Sequence, residues 1–354
     1  MTVPFDPRGA FTAVATPFAP DGTLDVAAFR KLVAFQVQQG ITGIVPGGTT
    51  GESPTLTWDD HATMIEEAVK AADGRASVIA GTGSNNTAEA VEATRDARER
   101  GASAVLLVDC YYNGPSSLEL RTEYYGRVLD SVADIPIVPY VIPGRTGCAL
   151  SAEDLAILHL QDPARVSSVK EATGDLERMR RDRELAGAGL AILSGDDDMT
   201  LAMMRDGVIR STGVISVMTN IAPGAITKMV VAQAAGDSAT ADAIATKLAP
   251  LFRLVTVMAK ANRVLPDGRT IEVVDKFRNP VPVKTMMAGL GMLGPTMRAP
   301  LGKMTRSAVD ACRSALREVQ ANAPELLSPI DEAFGVSVAK RLADDAIWSA
   351  LARD

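Results

Sequence analysis

The sequence predicts an α/β protein, a (β/α)8 TIM barrel followed by a C-terminal helical region. Short apolar segments recur along the first two thirds of the chain at a nearly constant spacing, and a helical pattern fills each interval. Their apolar residues are continuous rather than alternating, which is typical of parallel strands covered on both faces. The predicted strands are 12–16, 42–46, 77–80, 104–108, 137–140, 166–169, 191–193 and 214–217.

Capping sequences mark where helices between the strands begin. Thr57 and Ser151 each precede acidic residues, and a hydroxyl cap followed by first-turn carboxylates favours a helix start. The regular spacing stops after residue 236, so we predict a catalytic barrel over 1–236 and a helical region over 237–354. The runner-up architecture is an open doubly wound sheet, but no GxGxxG sequence follows an early strand to support it.

The region after the barrel has a different pattern. Segments 238–260 and 304–322 are predicted helices, and an Asp-Gly turn between β-forming residues indicates a hairpin insert near 262–276. The extra tail 323–354 ends in an amphipathic helix that carries Trp348. Such a tail either covers the barrel or contacts another subunit.

Composition excludes several classes of function. The net charge of −7 argues against nucleic acid or a membrane surface as a partner, and no apolar segment approaches the length of a membrane span. The three cysteines form no CxxC pair, which fits a reducing compartment, so we expect a cytoplasmic protein. With only two histidines, His61 and His159, a histidine-rich metal site is impossible, and neither a metal nor a cofactor is expected.

One lysine stands out in the sixth apolar segment. Lys170 follows a run of small and apolar residues, so its ammonium would lie where burial disfavours charge. Burial of a lysine side chain generally makes the neutral amine more available, and that amine forms Schiff bases with carbonyl substrates. The ordinary alternative is a strand-end lysine whose side chain reaches water.

Polar residues also gather where the other predicted strands end, which is the face of a TIM barrel that carries the active site. The segment 47–52, Gly-Gly-Thr-Thr-Gly-Glu, offers backbone N–H groups and hydroxyls to a carboxylate, with a plain glycine-rich turn as the alternative. Tyr140 ends the fifth strand, close enough to Lys170 to transfer protons during imine chemistry. The alternative for a strand-end tyrosine is a packing role.

Five motifs in this order resemble the dihydrodipicolinate synthase/N-acetylneuraminate lyase family, over about residues 8–320. The resemblance implies a class I aldolase that condenses or cleaves pyruvate through a lysine imine on a (β/α)8 barrel. It implies no cofactor, because the imine itself is the electron sink. The motifs run from Gly47 to Glu52, Tyr140 to Thr146, Lys170 to Asp175, Gly213 to Val217 and Asn279 to Lys284.

By this resemblance, Lys170 is the Schiff-base lysine and Tyr140 the general acid/base, with Thr49 relaying protons to it. Tyr112 matches the tyrosine that the family's synthases insert across a subunit interface, which implies a homodimer or homotetramer. Without the family, Tyr111 and Tyr112 would indicate an exposed aromatic contact, and both interpretations imply an oligomer. The residues assigned to substrate binding are Gly48, Thr50, Arg145, Gly195 and Ile215.

Arg145 decides among the branches of the family. A guanidinium binds a carboxylate through two hydrogen bonds, and aspartate semialdehyde carries a carboxylate on the aldehyde that many sugar aldehydes lack. With Tyr112 also present, we favour condensation of pyruvate with aspartate semialdehyde, toward lysine and diaminopimelate. The alternatives are an aldolase or dehydratase of a 2-oxo sugar acid or 4-hydroxy-2-oxoglutarate, and a non-catalytic ligand-binding paralogue.

Two departures from the synthase pattern bear on the aldehyde. Val141 stands where the synthases usually have asparagine, and Asp109-Cys110 where they usually have Thr-Pro. Both are expected beside the site. They therefore concern the choice of aldehyde rather than the imine chemistry.

The synthases bind free lysine at a dimer interface beside the tyrosine pair, and the resemblance extends to that site. Glu89 matches the acid that holds the effector's α-amino group, and His61 matches a histidine typical of lysine-sensitive members. L-lysine is therefore the expected inhibitor, the alternative being that these residues only cap and pack helices. The full set is Ser53, Pro54, Trp58, His61, Asn85, Glu89 and Tyr111.

Overall fold

Eight parallel strands close a barrel in the order of the chain, and the eighth strand pairs back to the first. The computed structural model describes residues 3–353. The predicted (β/α)8 class is confirmed. The strands are β1 (Gly9–Ala13), β2 (Gly43–Val45), β3 (Ser77–Gly81), β4 (Ala104–Val108), β5 (Ile137–Val141), β6 (Ser168–Glu171), β7 (Ala191–Ser194) and β8 (Gly213–Ser216).

Helices cover the outside of the barrel. Thr57 closes a capping box with Asp60 at the start of one, and the Ser151 hydroxyl accepts a hydrogen bond from the Asp154 N–H at the start of another, as predicted. A π-helical stretch, Leu120–Tyr125, joins the fourth and fifth helices. The helices are α1 (Val26–Gln38), α2 (Trp58–Ala72), α3 (Thr87–Glu99), α4 (Ser117–Glu119), α5 (Gly126–Ser131), α6 (Pro143–Thr146), α7 (Ala152–Gln161), α8 (Leu176–Ala186), α9 (Thr200–Arg205) and α10 (Pro223–Ala234).

The strand boundaries differ from the prediction by a few residues. Lys170 lies inside β6 rather than after it, because the strand begins and ends later than the apolar run. Gly9 opens β1 earlier than predicted and lies against Gly213 in β8, where a Cβ would be 1.9 Å from the Gly9 carbonyl oxygen. Only a glycine fits this contact between the two strands that close the barrel.

The barrel interior is filled by side chains. Because successive residues of a strand face opposite sides, Tyr140 faces the interior while Val141 packs among the helices. Lys170 is the register partner of Tyr140, whereas Glu171 pairs outward with Arg178 of α8. The interior cluster consists of Phe11, Ala13, Val45, Ile79, Ala104, Leu106, Val138, Tyr140, Leu193 and Ile215.

The C-terminal region contains six helices and two small sheets within the described residues 3–353. They are α11 (Ser238–Phe252), β9 (Thr256–Val264), β10 (Thr270–Arg278), α12 (Val281–Leu290), β11 (Met304–Thr305), α13 (Arg306–Asn322), α14 (Ser328–Phe334), α15 (Val338–Ala343), α16 (Asp345–Leu351) and β12 (Ala352–Arg353). Strands β9 and β10 pair in an antiparallel hairpin, and β11 pairs with β12 in parallel.

The predicted helix over 238–260 is wrong in its last third. Helix α11 ends and β9 begins before residue 260. Val257 and Ala259 are buried whereas Met258 and Lys260 are exposed, and this alternation is that of a strand with one covered face. The hairpin expected near 262–276 therefore starts earlier and reaches further.

The tail packs on the C-terminal helices. Trp348 of α16 is fully buried against α12, where a Cβ at Gly289 would be 2.3 Å from the indole ring. Its indole N–H donates to the Arg341 carbonyl oxygen at 3.0 Å. Since loss of a buried tryptophan usually costs about 3–5 kcal/mol, this side chain holds the tail in place.

Candidate active site

Lys170 and Tyr140 form the centre of the site. The register of β5 and β6 places them side by side, and the Lys170 Nζ lies 4.1 Å from the centroid of the Tyr140 ring. Each side chain is only 4% exposed, and both line a cavity of about 250 Å³ at the C-terminal end of the strands. A lysine amine and a phenol at this distance can share the bond-making and proton-transfer steps of imine chemistry.

Gly195 makes room for the lysine. A Cβ at this position would lie 2.6 Å from the Ala172 Cβ and 3.2 Å from the Lys170 Cε. A larger residue would therefore clash with Ala172 and crowd the side chain of Lys170. Asp196, next in the chain, also lines the cavity; burial raises the pKa of its carboxyl group, and the Lys170 charge acts in the opposite direction.

The glycine loop after β2 forms a second wall. Gly47 has a φ of +66°, and a Cβ there would be 2.7 Å from the His61 Nδ1. The buried Thr50 hydroxyl accepts a hydrogen bond from the Asn279 side-chain N–H at 3.0 Å, and Thr49 is half-buried at the cavity surface. Hydroxyl and backbone N–H groups in such a loop can hold a carboxylate.

A buried ion pair, not anticipated from the sequence, fixes this loop. Glu52, in the left-handed conformation at φ 61°, pairs with Lys284 of α12 and accepts the Arg298 N–H at 3.2 Å. Burial lowers the pKa of Lys284, and the Glu52 carboxylate opposes that shift. The signal that was available is a charged residue at the end of each of two otherwise small or apolar motifs, 47–52 and 279–284.

Arg145 enters the cavity from the short helix α6. Its guanidinium donates to the Asn279 carbonyl oxygen at 2.8 Å, and the side chain is exposed at the mouth. Arg278 donates to the Gly144 carbonyl oxygen at 2.8 Å, so the two guanidinium groups lie near each other. Protein atoms surround part of the Arg145 guanidinium, and this burial lowers its pKa. The nearby charge of Arg278 lowers the pKa further, while Tyr140 acts in the opposite direction.

The predicted substrate-binding residues do not all reach this cavity. Thr50, Arg145 and Gly195 line it together with Lys170 and Tyr140. Gly48 lines the neighbouring cavity instead. Ile215 lines neither cavity; it belongs to the interior cluster, and its side chain is fully buried.

The neighbouring cavity, of about 500 Å³, is lined by the whole predicted effector set. It shares Thr49, Tyr140, Ile142 and Arg145 with the first cavity, so the two lie side by side. Burial lowers the pKa of His61, whose ring lies 5.0 Å from that of Trp58. The seven effector residues are Ser53, Pro54, Trp58, His61, Asn85, Glu89 and Tyr111.

The tyrosine pair is held by its backbone. Asn85 Oδ1 accepts hydrogen bonds from the N–H groups of Tyr111 and Tyr112, at 2.7 and 3.1 Å. Tyr112 is 85% exposed and is absent from the lining of both cavities. Within one chain, it therefore does not meet Tyr140.

The expectation that Val141 and Asp109 lie beside the site is wrong for both side chains. Val141 follows Tyr140 in β5 and so faces the helices, away from the cavity. Asp109 is fully buried, accepts the Tyr125 hydroxyl at 2.6 Å and the Leu150 N–H at 3.2 Å, and burial raises its pKa to about 7. Val141 and Asp109 therefore stabilise the packing between the barrel and its surrounding helices rather than line the cavity.

Residues 3–353 contain neither a helix able to span a membrane nor a cluster of side chains placed to hold a metal ion. No helix there is both long and apolar enough to cross a bilayer. The same residues contain no group of three or more His, Cys, Asp or Glu side chains placed to hold a metal ion.

A buried lysine and a tyrosine on neighbouring strands of a (β/α)8 barrel, facing a cavity with carboxylate-binding groups, define a class I carbon–carbon lyase. The chain belongs to the dihydrodipicolinate synthetase family, which its residues 6–319 match. A 4-hydroxy-tetrahydrodipicolinate synthase from Methanothrix thermoacetophila is 41% identical over 313 residues, covering 88% of this chain and 95% of the relative. The family and enzyme class predicted from the motifs are confirmed.

Two solved structures with bound ligands are similar over most of their length. One is a chloride-inhibited dihydrodipicolinate synthase from Acinetobacter baumannii complexed with pyruvate, with a TM-score of 0.78, 32% identity, and coverage of 89% of this chain and 99% of that one. The other is a synthase from Cyanidioschyzon merolae with lysine bound, with a TM-score of 0.78, 32% identity, and coverage of 88% and 98%.

Proposed function

We propose that this protein condenses pyruvate with aspartate semialdehyde through an imine on Lys170. The observation that carries the proposal is the Lys170–Tyr140 pair, 4.1 Å from Nζ to ring centroid, in a cavity that also contains Arg145. The relative from Methanothrix thermoacetophila is named as a synthase of this reaction, and the Acinetobacter baumannii structure is a complex with pyruvate.

The first half of the reaction forms the nucleophile. The neutral Lys170 amine adds to the C2 carbonyl of pyruvate, and loss of water leaves the protonated imine. Tyr140 supplies and removes protons in these steps, including the C3 proton whose loss gives the enamine. Thr49 lies at the same cavity surface and relays protons to it.

The second half forms the carbon–carbon bond. The enamine C3 attacks the aldehyde carbon, and the resulting alkoxide takes a proton from the relay. The amino group of the aldehyde substrate then attacks the imine carbon, closes a six-membered ring and releases Lys170. Both substrates stay oriented throughout, because the carboxylate of pyruvate binds the loop of Thr50 while that of the aldehyde binds Arg145.

We also propose that the active enzyme is a homodimer or homotetramer. Tyr112 is 85% exposed and does not line the cavity of its own chain, which is what a residue completing the relay of a neighbouring subunit would require.

The three cysteines form no disulfide bond, which fits an enzyme that acts in the reducing cytoplasm.

L-lysine is the proposed inhibitor. The support is that all seven candidate residues line one cavity, among them the Glu89 carboxylate and the Trp58 and Tyr111 rings. An ammonium needs such an acceptor, and the aromatic rings suit an aliphatic stem. The Cyanidioschyzon merolae structure has lysine bound.

Borohydride trapping tests the central step. Pyruvate plus borohydride should add one pyruvate-derived mass to the peptide that contains Lys170, and Lys170→Ala should abolish the addition. A panel of aldehydes offered to the pyruvate-loaded enzyme then identifies the partner. Labelling that persists in Lys170→Ala would remove this lysine from the mechanism, and preference for a neutral sugar aldehyde would overturn the semialdehyde assignment.

A further inference from the structure

The hairpin β9–β10 contributes side chains to the mouth of the active-site cavity. Val255 and Thr256 at its start, and Lys276 and Arg278 at its end, line the same cavity as Lys170 and Arg145. The sequence motifs of the site include none of these four residues. The mouth is therefore partly built by the hairpin insert, which lies outside the sequence motifs of the site.

The pleat of the hairpin determines which side chains face the cavity. Val257 and Phe277 are register partners and pack toward the hydrophobic core, which anchors one face of the hairpin. Lys276 and Arg278 flank Phe277 in β10, so both lie on the opposite face. Because the side of the hairpin that carries Val257 and Phe277 is anchored in the core, Lys276 and Arg278 are held at the mouth of the cavity.

The hairpin pairs its other basic residues but leaves these two facing the cavity. Away from the mouth, Lys260 pairs with Glu272 at 2.8 Å, Arg263 with Asp275 at 2.7 Å and Arg269 with Asp267 at 2.7 Å. Within residues 3–353, neither basic residue at the mouth has a carboxylate within the 4.0 Å of an ion pair.

Arg278 also connects the hairpin to the predicted carboxylate-binding arginine. Its guanidinium donates to the Gly144 carbonyl oxygen at 2.8 Å, and Gly144 precedes Arg145. Three cations from two separate elements thus surround one opening of a chain whose net charge is −7. A local positive potential of this kind concentrates anionic substrates that the rest of the surface repels.

We propose that Lys276 and Arg278 complete, with Arg145, a binding site for the carboxylate of the second substrate. The hairpin thereby makes the enzyme selective for aldehydes that carry an anionic group. This inference rests on the proposed function and adds two specificity-determining residues to it. Arg278 acts through a fixed guanidinium, whereas Lys276 is an exposed, flexible cation that attracts the substrate at the mouth.

Lys276 gives the cleaner test, because no structural hydrogen bond depends on it in the described part of the chain. Steady-state rates are measured with saturating pyruvate and varied aspartate semialdehyde. Lys276→Gln should raise KM for the aldehyde about two- to fivefold, as expected for one exposed charge pair, with kcat nearly unchanged. Lys276→Glu should raise it on the order of tenfold, because attraction becomes repulsion.

Arg269→Gln is the matched control, since it removes one positive charge from the tip of the same hairpin, outside the cavity. This variant should leave the KM for pyruvate and the KM for aspartate semialdehyde at the wild-type level. A KM for the aldehyde in Lys276→Glu that equals that of Arg269→Gln would overturn the proposal.

A second pair of variants separates binding from positioning. Arg278→Lys should retain most of the aldehyde affinity that Arg278→Gln loses, and borohydride trapping of pyruvate should be equally efficient in both. If Arg278→Gln weakens pyruvate trapping as much as it weakens aldehyde binding, the hairpin only holds the cavity as a whole in position, and the carboxylate site is refuted. Failure of the wild type to trap pyruvate would instead refute the proposed function.

Discussion

The ammonium of Lys284 in α12 pairs with the carboxylate of Glu52 at the end of the glycine loop, and both side chains are almost completely excluded from solvent. The pair joins the C-terminal region to the wall of the active site. Arg298 and Thr296 complete it, since Glu52 accepts the Arg298 N–H and Lys284 donates to the Thr296 carbonyl oxygen at 3.1 Å.

Removing one partner of this pair should be strongly destabilising. Lys284→Met leaves the Glu52 carboxylate buried without its cation, and we expect a loss of about 3–5 kcal/mol in the free energy of unfolding in urea. The double variant Glu52→Gln/Lys284→Met should recover part of that loss. Lys228→Met, at an exposed position of α10, is the control. An unchanged urea midpoint in Lys284→Met would show that the pair does not hold the loop.

Tyr140→Phe should retain the fold and some imine formation but lose turnover by roughly two or more orders of magnitude, as loss of a general acid/base does. The ring remains to pack beside Lys170, and only the hydroxyl is removed. The measurement combines kcat with the yield of borohydride trapping. Near-normal turnover would exclude Tyr140 from proton transfer.

Arg145→Ala should affect the two substrates differently. Loss of a charge-assisted contact of about 1.5–3 kcal/mol corresponds to a roughly 10- to 150-fold higher KM for aspartate semialdehyde. Pyruvate trapping should change little, because the pyruvate carboxylate binds at the glycine loop. Arg127→Ala removes an exposed arginine of the outer layer and serves as control. Equal effects on both substrates would mean that Arg145 is structural.

Inhibition by L-lysine should depend on Glu89. The wild-type rate should fall with added lysine, and Glu89→Ala should require a much higher lysine concentration for the same inhibition, because the ammonium loses its acceptor. Glu99→Ala, at the other end of α3, should behave as wild type. A wild-type rate that saturating lysine does not change would leave these residues as helix caps and packing.

Stability should fall as pH rises because of a buried acid behind the site. Burial and the neighbouring Glu171 carboxylate raise the pKa of Asp182 to about 8, although Arg178, 3.8 Å from Asp182 Oδ1, acts in the opposite direction. A raised pKa means that the folded state binds the proton more tightly, so this stabilisation is complete below pH about 4 and is lost as pH rises through about 8.

Asp182→Asn should therefore flatten the pH dependence of the free energy of unfolding and increase that free energy by about 1–3 kcal/mol at alkaline pH. Urea unfolding from pH 5 to pH 9 measures this effect, with the exposed Asp310→Asn as control. A variant whose pH profile runs parallel to that of the wild type would show that Asp182 does not titrate in this range.

Local sequence was enough for the barrel and for its central residues. Continuous apolar strands separated by capped helices permit few other architectures, because each strand needs cover on both faces. Lys170 and Tyr140 stood out because each is a charged or polar side chain at the end of an apolar strand, and the resemblance to the family assigned their roles. The seven effector residues, by contrast, were assigned through the resemblance to the family, and they line one cavity.

Two kinds of feature could not be determined from the sequence: the side of a strand to which a given side chain points, and the contacts between segments that are distant in the chain. Val141 points outward because Tyr140, the residue before it in β5, points inward, and successive residues of a strand face opposite sides. The pairing of Glu52 with Lys284, and the arrival of Lys276 and Arg278 at the mouth, need the hairpin and α12 to fold back over the barrel. The periodicity of a sequence predicts which face of a segment is buried. Only tertiary packing decides which other segment covers that face.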